Sequence, residues 1–242
     1  ISRTKAFCAG RTGAPLLHPY YDIARLWQKG SVFSSTTTWV FRAGPLVTLA
    51  VVFAAAMLMP FGAQRAPFSF NGDMLLFLYL LALARFFTII AALDTGSSFE
   101  GMGGAREATF ACLAEPALLF AFLTLSKLSG SLSLSGMLAH RSVLNLLSDG
   151  ASLLMLFGGL YVILLAENCR IPFDDPNTHL ELTMIHEVMV LDHSGPLFGV
   201  VLYGAAVKLF VLGALLTHIA FPIGSGSQML DWGVFIMSQF IL

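Results

Sequence analysis

The chain has 242 residues, of which 57% are hydrophobic and only 11% charged, with a net charge of −1. Its mean hydropathy is +0.80. A soluble domain carries about 25% charged residues, so this composition excludes an ordinary water-soluble domain, and the near-zero net charge leaves no electrostatic footprint for nucleic acid. Cys8, Cys112 and Cys169 are far apart and form no C-x-x-C pair. A structural zinc or Fe–S site needs about four clustered ligands, so the chain is expected to hold no metal, cofactor or redox centre of its own and no disulfide framework. No catalytic residue is expected.

In chain order, "PYYDIARLWQKG" is the first element. Tyr20, Ile23, Ala24 and Trp27 share one helical face, and Asp22, Arg25, Gln28 and Lys29 the other. Pro19 suits a first-turn position. Residues 15–30 therefore read as an amphipathic helix lying in a membrane interface, or equally as one packed on a partner subunit. Five full spans follow, at Trp39–Pro60, Met74–Leu93, Ala108–Leu128, Ala151–Ala166 and Leu197–Phe221, and a sixth begins near Leu230. The expected fold is an all-α polytopic membrane bundle, a single membrane domain over 1–242. Polar loops are expected at 94–107 and 167–196. The sequence starts at Ile1 without a methionine and ends inside the apolar run Trp232–Leu242, so a span is expected to be missing at each end.

Basic residues set the orientation. Arg3, Lys5, Arg11, Arg25, Lys29, Arg42, Arg106 and Arg170 fall on one side, against Arg65, Lys127 and Arg141 on the other. The amino-terminal segment and both polar loops are thus expected in the cytoplasm.

The ionisable chemistry concentrates in "ENCRIPFDDPNTHLELTMIHEVMVLDHSGP", from Glu167 to Pro196. Two prolines in "RIPFDDP" prevent one continuous helix, and Asn177 or Thr178 can cap a helix through "HLELTMIHEVMVL". On it His179 and His186 share a face above an apolar stripe, which predicts an ordered, packed segment. His186-Glu187 lacks the second histidine of a zinc H-E-x-x-H motif, because position 190 is Val190. The segment reads as structural histidines and a charged docking surface, or as a proton path if pKa values approach neutrality.

The second polar stretch holds Asp94, Glu100, Arg106, Glu107 and, inside the next span, Glu115 followed by Pro116. Glycines at 101, 103 and 104 allow close backbone approach. A charge within a span costs about 2.5–3.5 kcal/mol or more and is a functional signal by default. Arg85, Glu115, Lys208 and His218 qualify. Arg85 and Glu115 lie at similar depth and are expected to pair, as a structural ion pair or as part of an ion pathway.

The run "AENCRIPFDDP…HLELTMIHEVMVLDHSG" resembles the membrane subunit family shared by respiratory complex I and energy-converting nickel–iron hydrogenases, and within it the formate hydrogenlyase branch. The complex I pattern A-E-x-N-R-A-P-F-D-L-P followed by E-L matches at Glu167, Arg170, Pro172, Phe173, Asp174, Pro176, Glu181 and Leu182. A second pattern, G-A-M-R with a later glutamate, matches at Gly103, Arg106 and Glu115. Complex I places further glutamates where this chain has Asn177 and His179, and it lacks "HLELTMIHEVM". The family carries about eight spans, consistent with one missing at each end.

This resemblance implies a multi-pass subunit of a prokaryotic cell (inner) membrane. Its cytoplasmic loops would dock hydrogenase large and small subunits and an Fe–S subunit, which hold the nickel–iron centre and Fe–S clusters. Antiporter-like membrane subunits would be further partners within the lipid bilayer. It also implies a carboxylate path, carried by Glu167, Asp174, Glu181, Arg106 and Glu115. Asp94, Glu100, Glu107, Arg85, Arg170, Asp175, His179, His186, Glu187 and Lys208 are secondary candidates. The implied role is coupling of electron transfer to H+ or Na+ movement. Two other roles remain open: a wall of a quinone site in a complex I-like enzyme, and a stand-alone ion transporter, for which an internal repeat would be expected.

Overall fold

The computed structural model describes residues 6, 9–13, 15, 17–62, 64–139, 146–174, 184–221 and 228–241. Nine helices are named among them: α1 His18–Trp27, α2 Trp39–Leu58, α3 Asp73–Asp94, α4 Ser98–Ser129, α5 Leu134–Ala139, α6 Leu146–Glu167, α7 His186–Met189, α8 Gly195–Ala220 and α9 Gln228–Ile241. The described residues contain no strand, only an isolated bridge between Phe61 and Gln64. Five helices are long and apolar enough to cross a membrane, namely α2, α3, α4, the Gly150–Glu167 part of α6, and α8. They alternate in direction. The end of α3, the start of α4, the end of α6 and the start of α8 therefore share one end of the bundle, called here the acidic end.

The spans agree with the hydropathy reading, and one boundary differs. Residues 94–107, expected as a loop, are helical from Ser98, so α4 runs unbroken for 32 residues through Pro116. Its polar first turns are held by a segment far away in sequence. Glu100 Oε1 accepts from Asp192 N at 2.9 Å, and Arg106 Nη1 donates to Met184 O at 3.0 Å. A Cβ on Gly103 would lie 3.1 Å from Ile185 O and 3.0 Å from Met189 Cγ. The absent side chain thus lets the 185–189 backbone sit directly on α4.

The amphipathic stretch is helical over α1. Asp22, Ile23 and Leu26 are half-buried, while Tyr20 and Tyr21 stay exposed. The contact is with the start of α8, where a Cβ on Gly199 would lie 3.1 Å from the Trp27 ring. Ser194 fastens the same junction: its Oγ accepts from Val32 N at 3.1 Å and donates to Val32 O at 3.3 Å.

Helix starts are satisfied across elements, because the first N–H groups of a helix lack intrahelical partners. Asp94, at the end of α3, accepts from Thr38 N at 2.7 Å and Phe41 N at 3.2 Å, which closes the start of α2. At the opposite end, fully buried Asp73 accepts from Leu134 N at 2.6 Å and Ser133 Oγ at 2.9 Å, which closes the start of α5.

The main apolar core fills the half of the bundle away from the acidic end, around Phe77, Leu118, Phe122, Leu160, Leu215 and Phe235. There α8 and α9 are joined by polar contacts suited to a medium without water. Thr217 Oγ1 accepts from Gln239 Nε2 at 2.9 Å, and the His218 ring lies 2.9 Å from Ala214 O and 3.1 Å from Gly62 O. At the acidic end the apolar cluster is small, built on Ala92, Ile185 and Met189. Between the two clusters lie charged groups.

Candidate functional site

Arg85 projects from the middle of α3 and is 6% exposed. Its guanidinium meets three carboxylates: Nε lies 3.0 Å from Glu107 Oε1, Nη1 3.1 Å from Glu115 Oε1, and Nη2 contacts Glu167 Oε1. Glu107 and Glu115 are eight residues apart on α4, about two turns, and so present one face to the planar fork of the arginine. Glu167 ends α6. Lys208 of α8 completes the group, with Nζ 2.9 Å from Glu167 Oε2 and donating to the Glu167 carbonyl at 2.6 Å. Four spans thus converge through side chains that hydropathy alone would keep out of them.

Two cations face three carboxylates, so the fully ionised cluster carries a net charge of −1. Glu107 and Glu167 are buried, whereas the Glu115 side chain is 43% exposed. The contacts at Arg85 Nε and Glu167 Oε2 are ion pairs without hydrogen-bond alignment. Charges at this depth are costly unless paired, and each buried carboxylate here meets at least one cation.

A cavity of about 100 Å³ opens beside the cluster. Arg85, Glu107, Glu167 and Lys208 line it together with Cys169, His186 and His193, against aliphatic walls from α2 and α8. Cys169 has a positive φ of 46° and points its Sγ to Glu107 Oε2 at 3.4 Å. Burial and the nearby Glu107 carboxylate push its thiol well above the usual range, so it stays protonated. Burial lowers His186, and it lowers His193 to about 4.

The His193 shift has a pH consequence. The unfolded chain binds a proton near pH 6.5 and the folded chain only near 4, so stability rises with pH across that window. It is complete above pH 6.5 and falls by roughly 3 kcal/mol as pH drops to 4. The thermal midpoint in detergent is expected to fall across this range, and less steeply in His193→Phe.

A family model described as NADH dehydrogenase matches residues 2–242. The chain belongs to the NADH dehydrogenase subunit 1 family. Hydrogenase-4 component C of Escherichia coli (strain K12) is 30% identical over 230 residues, covering 95% of this chain and 71% of that protein. Formate hydrogenlyase subunit 4 of the same organism is 32% identical over 217 residues, covering 88% and 68%. A subunit of the NADH-quinone oxidoreductase of Bordetella avium (strain 197N) is 27% identical over 209 residues, covering 83% and 58%. The fold is like that of a chain in the structure of the membrane-bound sulfane sulfur reductase, an archaeal respiratory membrane complex. The TM-score is 0.81 at 18% identity, over 99% of this chain and 78% of that one. With its five apolar helices, this NADH dehydrogenase subunit 1 family chain is a multi-pass membrane protein.

Within this family member the sequence candidates divide. Glu167, Glu115, Glu107, Arg85 and Lys208 meet in one cluster, including the expected Arg85–Glu115 pair. Arg170 and His186 line the cavity. Asp174 and Arg106 instead hold backbone: Asp174 accepts from Ile185 N at 3.1 Å and His186 N at 2.9 Å, starting α7, and Arg106 anchors Met184. Asp94 and Glu100 do the same for Thr38 and Asp192. Glu187 is exposed on α7. Asp175, His179 and Glu181, with the first five residues of the expected "HLELTMIHEVMVL" helix, lie outside the described residues, and of the rest only His186–Met189 is helical, so the expected helix is shorter than its apolar stripe suggested. Sequence reasoning gave no role to Cys169 or His193, because nothing in local periodicity marks either as facing a cavity.

Proposed function

We propose that the chain is the non-catalytic membrane-anchor and coupling subunit of a complex I-like energy-converting nickel–iron hydrogenase of the formate hydrogenlyase kind. In this reading its acidic end faces the cytoplasm and docks the hydrogenase large and small subunits and an Fe–S subunit. Antiporter-like subunits adjoin it in the bilayer, and α1 lies at the membrane surface. Electron transfer takes place in the partners, which hold the nickel–iron centre and Fe–S clusters. This chain passes the effect inward as a change in charge, linked to H+ or Na+ movement.

The observation that carries the reading is the Arg85 cluster. A net-negative group of buried ion pairs, directly beneath the 184–193 segment, is a device whose protonation responds to a charge arriving above it. The two Escherichia coli relatives, at 30% and 32% identity, favour the hydrogenase branch over the quinone branch at 27%.

The test begins with the intact complex, purified through this chain in mild detergent and assayed for nickel and for hydrogen evolution. Glu115→Gln is then expected to slow ion movement on the order of tenfold or more, while dye-linked hydrogen oxidation persists. Normal ion movement in that variant overturns the path. The cavity lined by Glu167, Cys169, His186 and His193 favours a second reading, a quinone-site wall. A complex without nickel that reduces quinone would establish it.

A further inference from the structure

Cys169 occupies the turn that closes α6. Its N–H donates to Ala166 O at 3.2 Å, and the next N–H, of Arg170, donates to Leu165 O at 2.9 Å. This pair of bonds closes a helix through one residue in the left-handed conformation. Glycine, or less often asparagine, usually occupies that position, because a Cβ is disfavoured there. Here it is a cysteine, at φ 46°. Its side chain packs beside Ala92, Ile185 and Met189 and lines the cavity next to the Arg85 cluster. Its Sγ donates to Glu107 Oε2 at 3.4 Å, and among the described residues no other hydrogen bond reaches the Glu107 carboxylate. The other carboxylate oxygen lies 3.0 Å from Arg85 Nε, a buried atom that makes no aligned hydrogen bond. Arg85 thus supplies Glu107 with charge but not direction, and the thiol supplies direction.

We propose that Cys169 is a positioning residue of the coupling cluster: its thiol holds the Glu107 carboxylate toward Arg85 and so sets the charge balance at which Glu107 takes up a proton. The proposal rests on the coupling reading and adds the group that orients one of its carboxylates. The S–H can donate to Glu107 only while Oε2 offers it a lone pair. When a proton arrives on that oxygen an O–H bond forms, and the S–H turns away. When the proton leaves, the O–H bond breaks and the S–H···O contact returns. The sulfur gives up no proton, and no electron moves. A donor to a carboxylate stabilises it against the carboxyl, so removing the thiol makes proton uptake at the cluster easier.

The surroundings suit a thiol to this task. Burial and the Glu107 carboxylate keep it protonated; Asp174 adds to that effect and Lys208 opposes it. Being uncharged, it orients Glu107 without neutralising it, and the cluster keeps its net charge of −1. The charged groups around Glu107 come from every neighbouring element. Arg85 of α3 meets one oxygen, and Glu115, two turns along α4, shares that guanidinium. Glu167 of α6 and Lys208 of α8 form the adjoining pair. Arg170 beyond α6 and His186 of α7 line the same cavity. Burial lowers His186, so that ring adds no charge at neutral pH.

The experiment uses the whole complex in vesicles, with Cys169→Gly and Cys169→Asn compared with Glu115→Gln. Glycine and asparagine both suit the left-handed turn, but only asparagine has side-chain N–H groups to donate. Co-purification of partner subunits reports assembly, and dye-linked hydrogen oxidation reports partner integrity. Cys169→Gly is expected to move ions about three- to tenfold more slowly, with the pH profile shifted to higher pH. Cys169→Asn is expected to restore rate and profile. A wild-type rate and profile in Cys169→Gly, with Glu115→Gln impaired, overturns the proposal and leaves the coupling reading standing. Equal impairment of the glycine and asparagine variants also overturns it, because the donor then makes no difference. Normal ion movement in all three overturns both. If Cys169→Gly does not assemble, infrared difference spectra on turnover decide, taken in the S–H stretching window on a complex carrying Cys8→Ser and Cys112→Ser. An S–H band that shifts on turnover supports the proposal, and its absence overturns it.

Discussion

Arg85→Met is expected to be the most damaging single substitution in the bundle. Removing one partner of a buried ion pair costs about 3–5 kcal/mol, because the remaining charge has no compensation. Here the loss leaves the buried Glu107 without its arginine and the buried Glu167 with Lys208 alone. The expected result is a large fall in thermal midpoint and poor recovery of assembled complex. A diagnostic control is Arg85→Met combined with Glu107→Gln, which removes one charge of each sign and should recover part of the midpoint. An unchanged midpoint in Arg85→Met alone would mean that the cluster contributes little to holding the four spans together.

The second large effect is expected at Gly195. It opens α8 at φ +57°, and a Cβ there would lie 2.7 Å from Gly30 O. An alanine meets both obstacles at once. The left-handed conformation costs about 1–2 kcal/mol, and forcing a methyl against a packed carbonyl adds about 1–3 kcal/mol. The relief available is separation of the segment around Gly30 from the start of α8. Gly195→Ala should therefore expose the amino-terminal segment to protease while leaving the Arg85 cluster and the main core intact. Protection equal to wild type would show that α1 does not depend on this contact.

The parts legible in the sequence were those set by local physics. Five apolar runs became five helices because length and hydropathy determine a span without reference to neighbours. The Arg85–Glu115 pair could be expected because two charges at one depth have few other ways to be neutralised. The convergence of Glu107, Glu167 and Lys208 on the same arginine was not legible. It depends on how α6 and α8 rotate against α3 and α4, and α6 and α8 have no strong amphipathic stripe to reveal that rotation. The start of α4 was misread for a related reason. Its glycines and charges look like a loop in isolation, and the partners that keep them helical, Met184 and Asp192, come some eighty to ninety residues later. His193 was hidden likewise, since only the folded chain brings it to the cavity wall.

The contact between Gly30 and Gly195 also fixes an order of events during synthesis. Chains are made and inserted from the amino terminus, so α1 is finished long before its seat on α8 exists. Arg85 likewise enters the bilayer ahead of Glu167 and Lys208, with Glu107 and Glu115 as the first carboxylates to reach it. The early helices must therefore wait in a provisional arrangement. The amino-terminal segment closes over the bundle only when the fifth span has been delivered, which makes that span the clasp of the whole assembly.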